Sequence, residues 1–202
     1  MNWTEISLRQ YNNIKDVFLN PEFSDEDRII LLINICFGVD SLKLKTSELN
    51  KYINDLKFLN TIPPKMKLKD KYKLGENWYI LKRNLKDFTV AQWIDFQNFL
   101  KNGSDTDNYA NLLSVFFIPE DEEEYGENYN VEQVRNDINN YLSIPDANSI
   151  ASFFLTYRRA LLIRSLLFTR KKVLKTSITK EQKRKVKKQF RKLIWRTLLV
   201  GV

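Results

Sequence analysis

The hydrophobic and polar residues of this chain alternate with a helical period along most of its length. A Ser, Thr or Asn followed three residues later by Gln or Asp precedes several of these stretches, as at Asn130 and Gln133, and this capping-box spacing marks helix starts. The second stretch is apolar almost all round up to the closing Gly38, which predicts a buried, central helix. The helices predicted before residue 146 are 8–20, 25–37, 46–59, 90–101, 109–118 and 131–142, and the inward face of the first is predicted to hold Leu8, Tyr11, Ile14 and Phe18.

One stretch of the body changes its period from helical to alternating. Basic and apolar residues alternate over 67–74, a turn follows at 75–77, and strand-forming residues fill 78–81, so we predict a β-hairpin at about 67–82. Because a lone hairpin is marginally stable in water, it must pack on the helices or on a neighbouring sheet. Its lysines are compatible with phosphate binding, but such a row is more typical of the charged face of an edge strand. The row comprises Lys65, Lys67, Lys69, Lys71 and Lys73.

The C-terminal region is predicted to form two basic helices. Apolar residues continue at helical spacing over 150–168, and we expect the arginines of this stretch on the opposite side of the helix. After a break at Thr176 and Ser177, Thr179 and Gln182 cap a last helix with one apolar and one basic face. The sequence therefore predicts a mainly α-helical protein, with a body (1–145) that contains one small β-hairpin and a basic helical extension (146–202).

Charge separates nearly the same two regions. Residues 157–202 hold 16 of the 33 Lys and Arg residues with Glu181 as their one acid, which gives them a net charge of +15. The first 156 residues hold 17 bases against 24 acids, a net charge of −7, and the whole chain carries +8. Such a split is evidence about binding partners rather than about the fold. The body has one biased segment, an acidic loop at 120–127.

Catalytic, cofactor-binding and metal-binding residues are not predicted at any position. The chain has no His, which is the commonest general base and transition-metal ligand, and its single Cys36 is predicted to be a small buried hydrophobic residue. No glycine-rich phosphate loop occurs, and the acids of the loop lack the spacing of a calcium site. The loop is therefore interpreted as a run of charges that faces solvent or a partner. The protein is predicted not to be an enzyme. Since no stretch looks like a signal peptide or a membrane span, we expect a protein used in the cytoplasm or in a particle assembled there.

The basic extension admits four interpretations. It is compatible with docking on other proteins, with binding the phosphates of a nucleic acid, with lying in a membrane interface, or with packing on its own core while the charges keep the chain soluble. Docking is preferred, because the amphipathic last helix has apolar surface to bury. The predicted apolar docking residues are Leu161, Leu166, Phe190, Leu193 and Trp195, and the predicted electrostatic contacts are Arg158, Arg159, Lys187, Lys188 and Arg191.

Three blocks, taken in this order, carry a resemblance to a known group of proteins: 49–59, 89–97, and 113–119 together with 129–131 and 153–155. They resemble small proteins from the structural gene blocks of tailed bacteriophages, including crAss-like phages, that are described as virion-associated or tail-assembly-chaperone-like. The resemblance covers 6–155 and brings no active-site residues.

The resemblance implies a structural or assembly protein of the virion, made in the host cytoplasm and placed at the portal, neck or tail region. The partners it implies are other virion proteins and further copies of this chain. The extension lies outside the resemblance; its charge makes nucleic acid an additional candidate partner, and a membrane is not expected as one. Two alternatives remain: a nucleic-acid-binding protein packaged with the genome, and a tail-assembly chaperone that is absent from the mature virion.

Overall fold

A computed structural model gives the fold, and it describes residues 1–101, 106–123, 125–126, 129–176 and 179–199, except the side chains of 106–108 and 197–199. The fold is mainly α-helical with a small antiparallel sheet, as predicted. The chain divides into two units, Met1–Ile150 and Ala151–Val202, whereas the sequence predicted the division before residue 146. The elements are α1 (Leu8–Leu19), α2 (Asp25–Phe37), α3 (Thr46–Asp55), β1 (Lys71–Leu74), β2 (Asn77–Leu81), α4 (Val90–Lys101), α5 (Thr106–Ser114), β3 (Phe117–Pro119), α6 (Val131–Tyr141), α7 (Ile144–Lys175) and α8 (Lys180–Leu199).

The helix starts follow the predicted capping boxes. At α1 the Gln10 N–H donates to Ser7 Oγ (3.2 Å), and the Ser7 N–H donates to Gln10 Oε1 (3.0 Å). Such reciprocal bonds satisfy amides that have no partner inside the helix. The same boxes form at Ser24 and Asp27, at Thr89 and Gln92, and at Thr179 and Gln182, and Gly38 closes α2 in the left-handed conformation (φ 66°).

One cap differs from its prediction and another lay unrecognised in the sequence. Asn130 caps α6 by accepting from the Glu132 N–H (2.9 Å), without the expected box to Gln133. At the start of α7 the Asp146 N–H donates to Ser143 Oγ (3.3 Å), and the Ser143 hydroxyl donates to Asp146 Oδ2 (2.9 Å). The helix therefore begins at Ile144, because Pro145 is tolerated in a first turn, where its missing N–H has no partner to lose.

The predicted hairpin is part of a three-stranded sheet of order β1-β2-β3. Strand β3 pairs antiparallel with β2, so that Phe117 lies opposite Leu81. The predicted helix 109–118 is therefore wrong at its C-terminal end, because a short apolar run such as 116–118 fits a buried strand as well as a buried helix. The hairpin is therefore stabilised by β3 of the same chain, which pairs with β2.

The core of the body lies where the helices meet the sheet. Helix α6 packs on α1, α5 and two strands, and α4 packs on α5. The N-terminal segment is tied to the start of α7, because the Leu8 N–H donates to the Leu142 carbonyl (3.1 Å) and the Ile144 N–H donates to the Ile6 carbonyl (3.0 Å). Fully buried side chains include Phe96, Phe116, Phe117, Leu113 and Ile138.

Two burial predictions for the first helices are wrong. Phe18 is 53% exposed, and the buried place at the end of α1 is taken by the adjacent Val17. Helix α2 is not buried all round: one face is buried and its other apolar side chains are partly exposed. The physical reason is that α2 packs on α1, α3 and the turn Ser41–Lys43, and these neighbours leave part of its circumference to solvent.

Candidate docking surfaces

The basic extension exposes apolar side chains from Leu155 onward. Beyond Phe154, no described side chain through Arg196 is buried. In α7, Leu162 is 44% and Phe168 is 70% exposed, although both are residues that normally lie in a core. An exposed surface of this composition is typical of an interaction site.

The apolar residues of α7 do not form the predicted one-sided stripe. At about 100° of rotation per residue, the predicted docking residues Leu161 and Leu166 lie about 140° apart around the helix. The predicted contacts Arg158 and Arg159 are partly buried rather than fully exposed. Apolar and basic residues therefore surround α7 on all sides, and the two sets of predicted residues do not separate on it.

Helix α8, by contrast, has two distinct faces. Phe190 is partly buried and Leu193, three residues later, is 44% exposed on the same face. Lys187, Lys188 and Arg191 are exposed. The nine Lys and Arg residues of this helix are all exposed, and the ion pair found among its described residues joins Lys185 Nζ to Glu181 Oε1 (2.9 Å).

Trp195 lies on the basic side of α8, not with the apolar row. It is four residues from Arg191 and seven from Lys188, spacings that place side chains one and two turns apart on one face. Its side chain is 58% exposed. The structure thus groups Trp195 with two predicted electrostatic contacts, a combination of Trp and Arg that is enriched in the residues that dominate binding energy at protein interfaces.

The body carries a surface of the opposite charge, which we call the acidic cleft. It is an open pocket of about 590 Å³ between β2, the segment after β3 and the start of α6. Four acids line it, and they come from two separate parts of the chain that the pairing of β2 with β3 brings together. The lining residues are Glu76, Asn77, Trp78, Tyr79, Pro119, Glu120, Asp121, Glu122, Tyr129, Asn130, Gln133 and Val134.

Three of the four acids in the cleft form no ion pair with another described residue. Glu120 forms an ion pair with Lys71. No ion pair joins Glu76, Asp121 or Glu122 to any other residue that the structure describes. Trp78 lines the same pocket and is 48% exposed, so the cleft combines negative charge with apolar surface.

A hydrogen-bonded group holds two walls of the cleft together. Asp137 Oδ2, on α6, accepts from Asn77 Nδ2 (2.8 Å) and from the Tyr79 hydroxyl (2.6 Å), both on β2. Burial and then the bond to Asp137 raise the pKa of Tyr79, so its hydroxyl stays protonated and donates. Burial also raises the pKa of Tyr129 to about 12. The tyrosines of the cleft, Tyr79 and Tyr129, are therefore uncharged, and Tyr79 is tied to α6 through Asp137.

The cleft was missed by sequence analysis, which recognised only the acidic loop. Residues 124, 127 and 128 of that loop region lie outside the described part of the chain. The contribution of Glu76 and Trp78 depends on strand pairing between distant segments, for which the sequence offers no direct signal.

Two other features singled out from the sequence have structural roles. Lys71 and Lys73 are exposed on β1, an edge strand of the sheet, which agrees with the interpretation of the lysine row as edge protection. Lys69 Nζ lies 4.0 Å from Asp146 Oδ2. Cys36 is buried as predicted, at 4% exposure, and burial raises the pKa of its thiol to about 11.

No protein-family model, curated protein or solved structure matches this chain. Among the described residues, no helix is both long and apolar enough to cross a membrane. The same part of the chain contains no group of three or more His, Cys, Asp or Glu side chains placed to hold a metal ion.

Proposed function

We propose that this chain is a non-enzymatic structural or assembly protein that docks on acidic surfaces of other proteins through its basic C-terminal helices. The observation that carries the proposal is the exposure of α8, in which Phe190 and Leu193 share one face while Trp195, Lys188 and Arg191 share another. Partner proteins bind such surfaces by covering the apolar residues and matching the charges.

Apolar burial is what favours a protein partner. Removing apolar surface from water stabilises a complex by about 25 cal/mol per Å². Trp195 and Phe190 are among the largest side chains of α8, and neither is buried. The cations then decide the sign of the partner and speed its association.

The proposed setting is the portal, neck or tail region of a tailed bacteriophage particle, with other virion proteins and further copies of the chain as partners. The support for this setting is the resemblance of 6–155 to phage structural-region proteins. A tail-assembly chaperone would use the same docking surface but would leave before the virion matures.

Mass spectrometry of purified particles of the encoding phage tests the setting. We expect the chain in mature particles, and its absence would overturn the structural role in favour of the chaperone. Phage that carry Phe190→Ala or Trp195→Ala should incorporate at least several-fold less of the chain. Phe18→Ala is the matched control, since Phe18 is 53% exposed in the body. Normal incorporation of both α8 variants would contradict docking through α8.

Nucleic-acid binding is the second candidate, and the nine exposed cations of α8 favour it. Binding to a DNA duplex of about 30 base pairs at several salt concentrations tests it. The logarithm of the association constant falls linearly with the logarithm of the salt concentration, with a slope of about −0.9 for each phosphate that the protein neutralises. Lys188→Gln with Arg191→Gln should then reduce the magnitude of that slope by about 2, and Phe190→Ala should leave the slope unchanged. Docking on protein predicts that Phe190→Ala and the charge variant both weaken binding to the particle. Equal duplex affinities of the charge variant and the unmodified chain would exclude nucleic-acid binding through α8.

A further inference from the structure

The acidic cleft and α8 are complementary surfaces of one chain. The cleft offers Glu76, Asp121 and Glu122 without ion pairs to other described residues, beside the exposed Trp78. Helix α8 offers Lys188 and Arg191 beside an exposed Trp195. Each surface thus pairs charges of one sign with an exposed indole ring, and the two signs are opposite.

The charge of each region agrees with this local match. Residues 157–202 carry +15 and the first 156 residues carry −7. Two copies of the chain therefore repel each other when extension meets extension and attract each other when the extension of one meets the body of the other. The attraction acts at short range in physiological salt, where the Debye length is about 8 Å, so it requires close docking.

We propose that α8 of one copy docks in the acidic cleft of a second copy. The inference rests on the proposed docking function and names one partner for it. Lys188 and Arg191 approach Glu76 and Asp121 of the second copy, and the apolar surfaces of the tryptophans close the contact. Because the two surfaces differ, the contact is head-to-tail and builds a ring if its rotation closes or a filament if it does not.

Sedimentation of the purified full-length chain tests the proposal. We expect association that grows with concentration up to about 100 μM and weakens as salt rises from about 50 to about 500 mM. A cleft variant, Glu76→Lys with Asp121→Lys, and a helix variant, Lys188→Glu with Arg191→Glu, should each be monomeric, because the residues proposed to meet at positions 76, 121, 188 and 191 then all carry charges of the same sign. An equimolar mixture of the two variants should associate again, since each variant restores the other's missing complement.

The matched control is Glu22→Lys with Glu26→Lys, which changes two exposed body acids outside the cleft and should associate like the unmodified chain. Circular dichroism of each variant confirms that it is folded. A monomeric unmodified chain, persistent association of either charge variant, or a mixture that stays monomeric would each overturn the proposal. Loss of Phe190→Ala from particles would still support docking through α8, so the inference can fail while the proposed function stands.

Discussion

Asp137 holds the wall of the acidic cleft, and replacing it with Ala should destabilise the body substantially. Its Oδ2 atom accepts from Asn77 Nδ2 (2.8 Å) and from the Tyr79 hydroxyl (2.6 Å). A hydrogen bond to a charged group contributes about 1.5–3 kcal/mol, and an unsatisfied buried donor costs about 1–3 kcal/mol. Asn77 is partly exposed and can bind water instead, whereas Tyr79 is only 2% exposed and cannot. We therefore expect Asp137→Ala to lower the free energy of unfolding by about 2–3 kcal/mol.

Urea unfolding monitored by tryptophan fluorescence measures this loss, with a midpoint shift of about 1 M for a slope near 2 kcal/mol per M. Tyr79→Phe removes the donor itself and should cost only about 0.5–1.5 kcal/mol. The double variant should lose less than the sum of the two, because the second change removes the unsatisfied hydroxyl that the first creates. Asn136→Ala, on an exposed neighbour in α6, should stay within about 0.5 kcal/mol of the unmodified chain. A cost of Asp137→Ala as small as that control, or strict additivity with Tyr79→Phe, would refute the reasoning.

Three further predictions concern the body. Gly75→Ala and Gly38→Ala both place a side chain at positive φ, at a cost of about 1–2 kcal/mol. Gly75→Ala should cost at least as much as Gly38→Ala in urea unfolding, because its Cβ would lie 2.7 Å from Cε2 of the exposed Tyr141 ring, which must move aside, while no atom lies within 4 Å of that of Gly38. A smaller cost at Gly75 would contradict the approach of Tyr141 to this turn. Cys36 should react with a thiol reagent at pH 8 only after unfolding, because burial raises its pKa to about 11, and rapid reaction of the native chain would be inconsistent with that burial. The pKa of Tyr129 is raised from 10 to about 12, so its contribution to stability is complete below pH 10 and is lost as pH rises through about 12. The free energy of unfolding of Tyr129→Phe should therefore fall less between pH 9 and pH 12 than that of the unmodified chain. Identical pH profiles of the two proteins would argue against a raised pKa.

Local signals in the sequence predicted the helix starts well. A capping box is a contact between residues three apart, so the pattern at Ser7 and Gln10 or at Thr179 and Gln182 determines the structure almost by itself. The hairpin was predicted for the same reason, since its alternating residues flank a tight turn at Gly75.

Features that depend on distant contacts were not predicted. The run at 116–118 became a strand because β2 lies beside it, and its composition alone does not distinguish a strand from a helix end. Val17 rather than Phe18 is buried, because the choice depends on the neighbours of α1. The acidic cleft needs the same long-range pairing of strands to bring Glu76 beside the loop after β3.

Helical periodicity predicts which residues share a face on α8, but it does not do so on α7. On α8, spacing alone places Phe190 with Leu193 and places Trp195 with Arg191, so the grouping follows from the sequence once the helix is accepted. On α7, apolar residues occur all round, and spacing cannot select a docking face there.

The most direct test of docking through the extension is amide hydrogen exchange of the α8 peptides in two states of the protein. In the free chain at high salt, the amides of Lys180–Leu199 should exchange quickly, because an exposed helix opens locally at little cost. In purified particles, covering Phe190 and Trp195 should slow their exchange by at least about tenfold, which corresponds to about 1.4 kcal/mol of added protection. Equal exchange of α8 in the free chain and in particles that contain it would contradict the account.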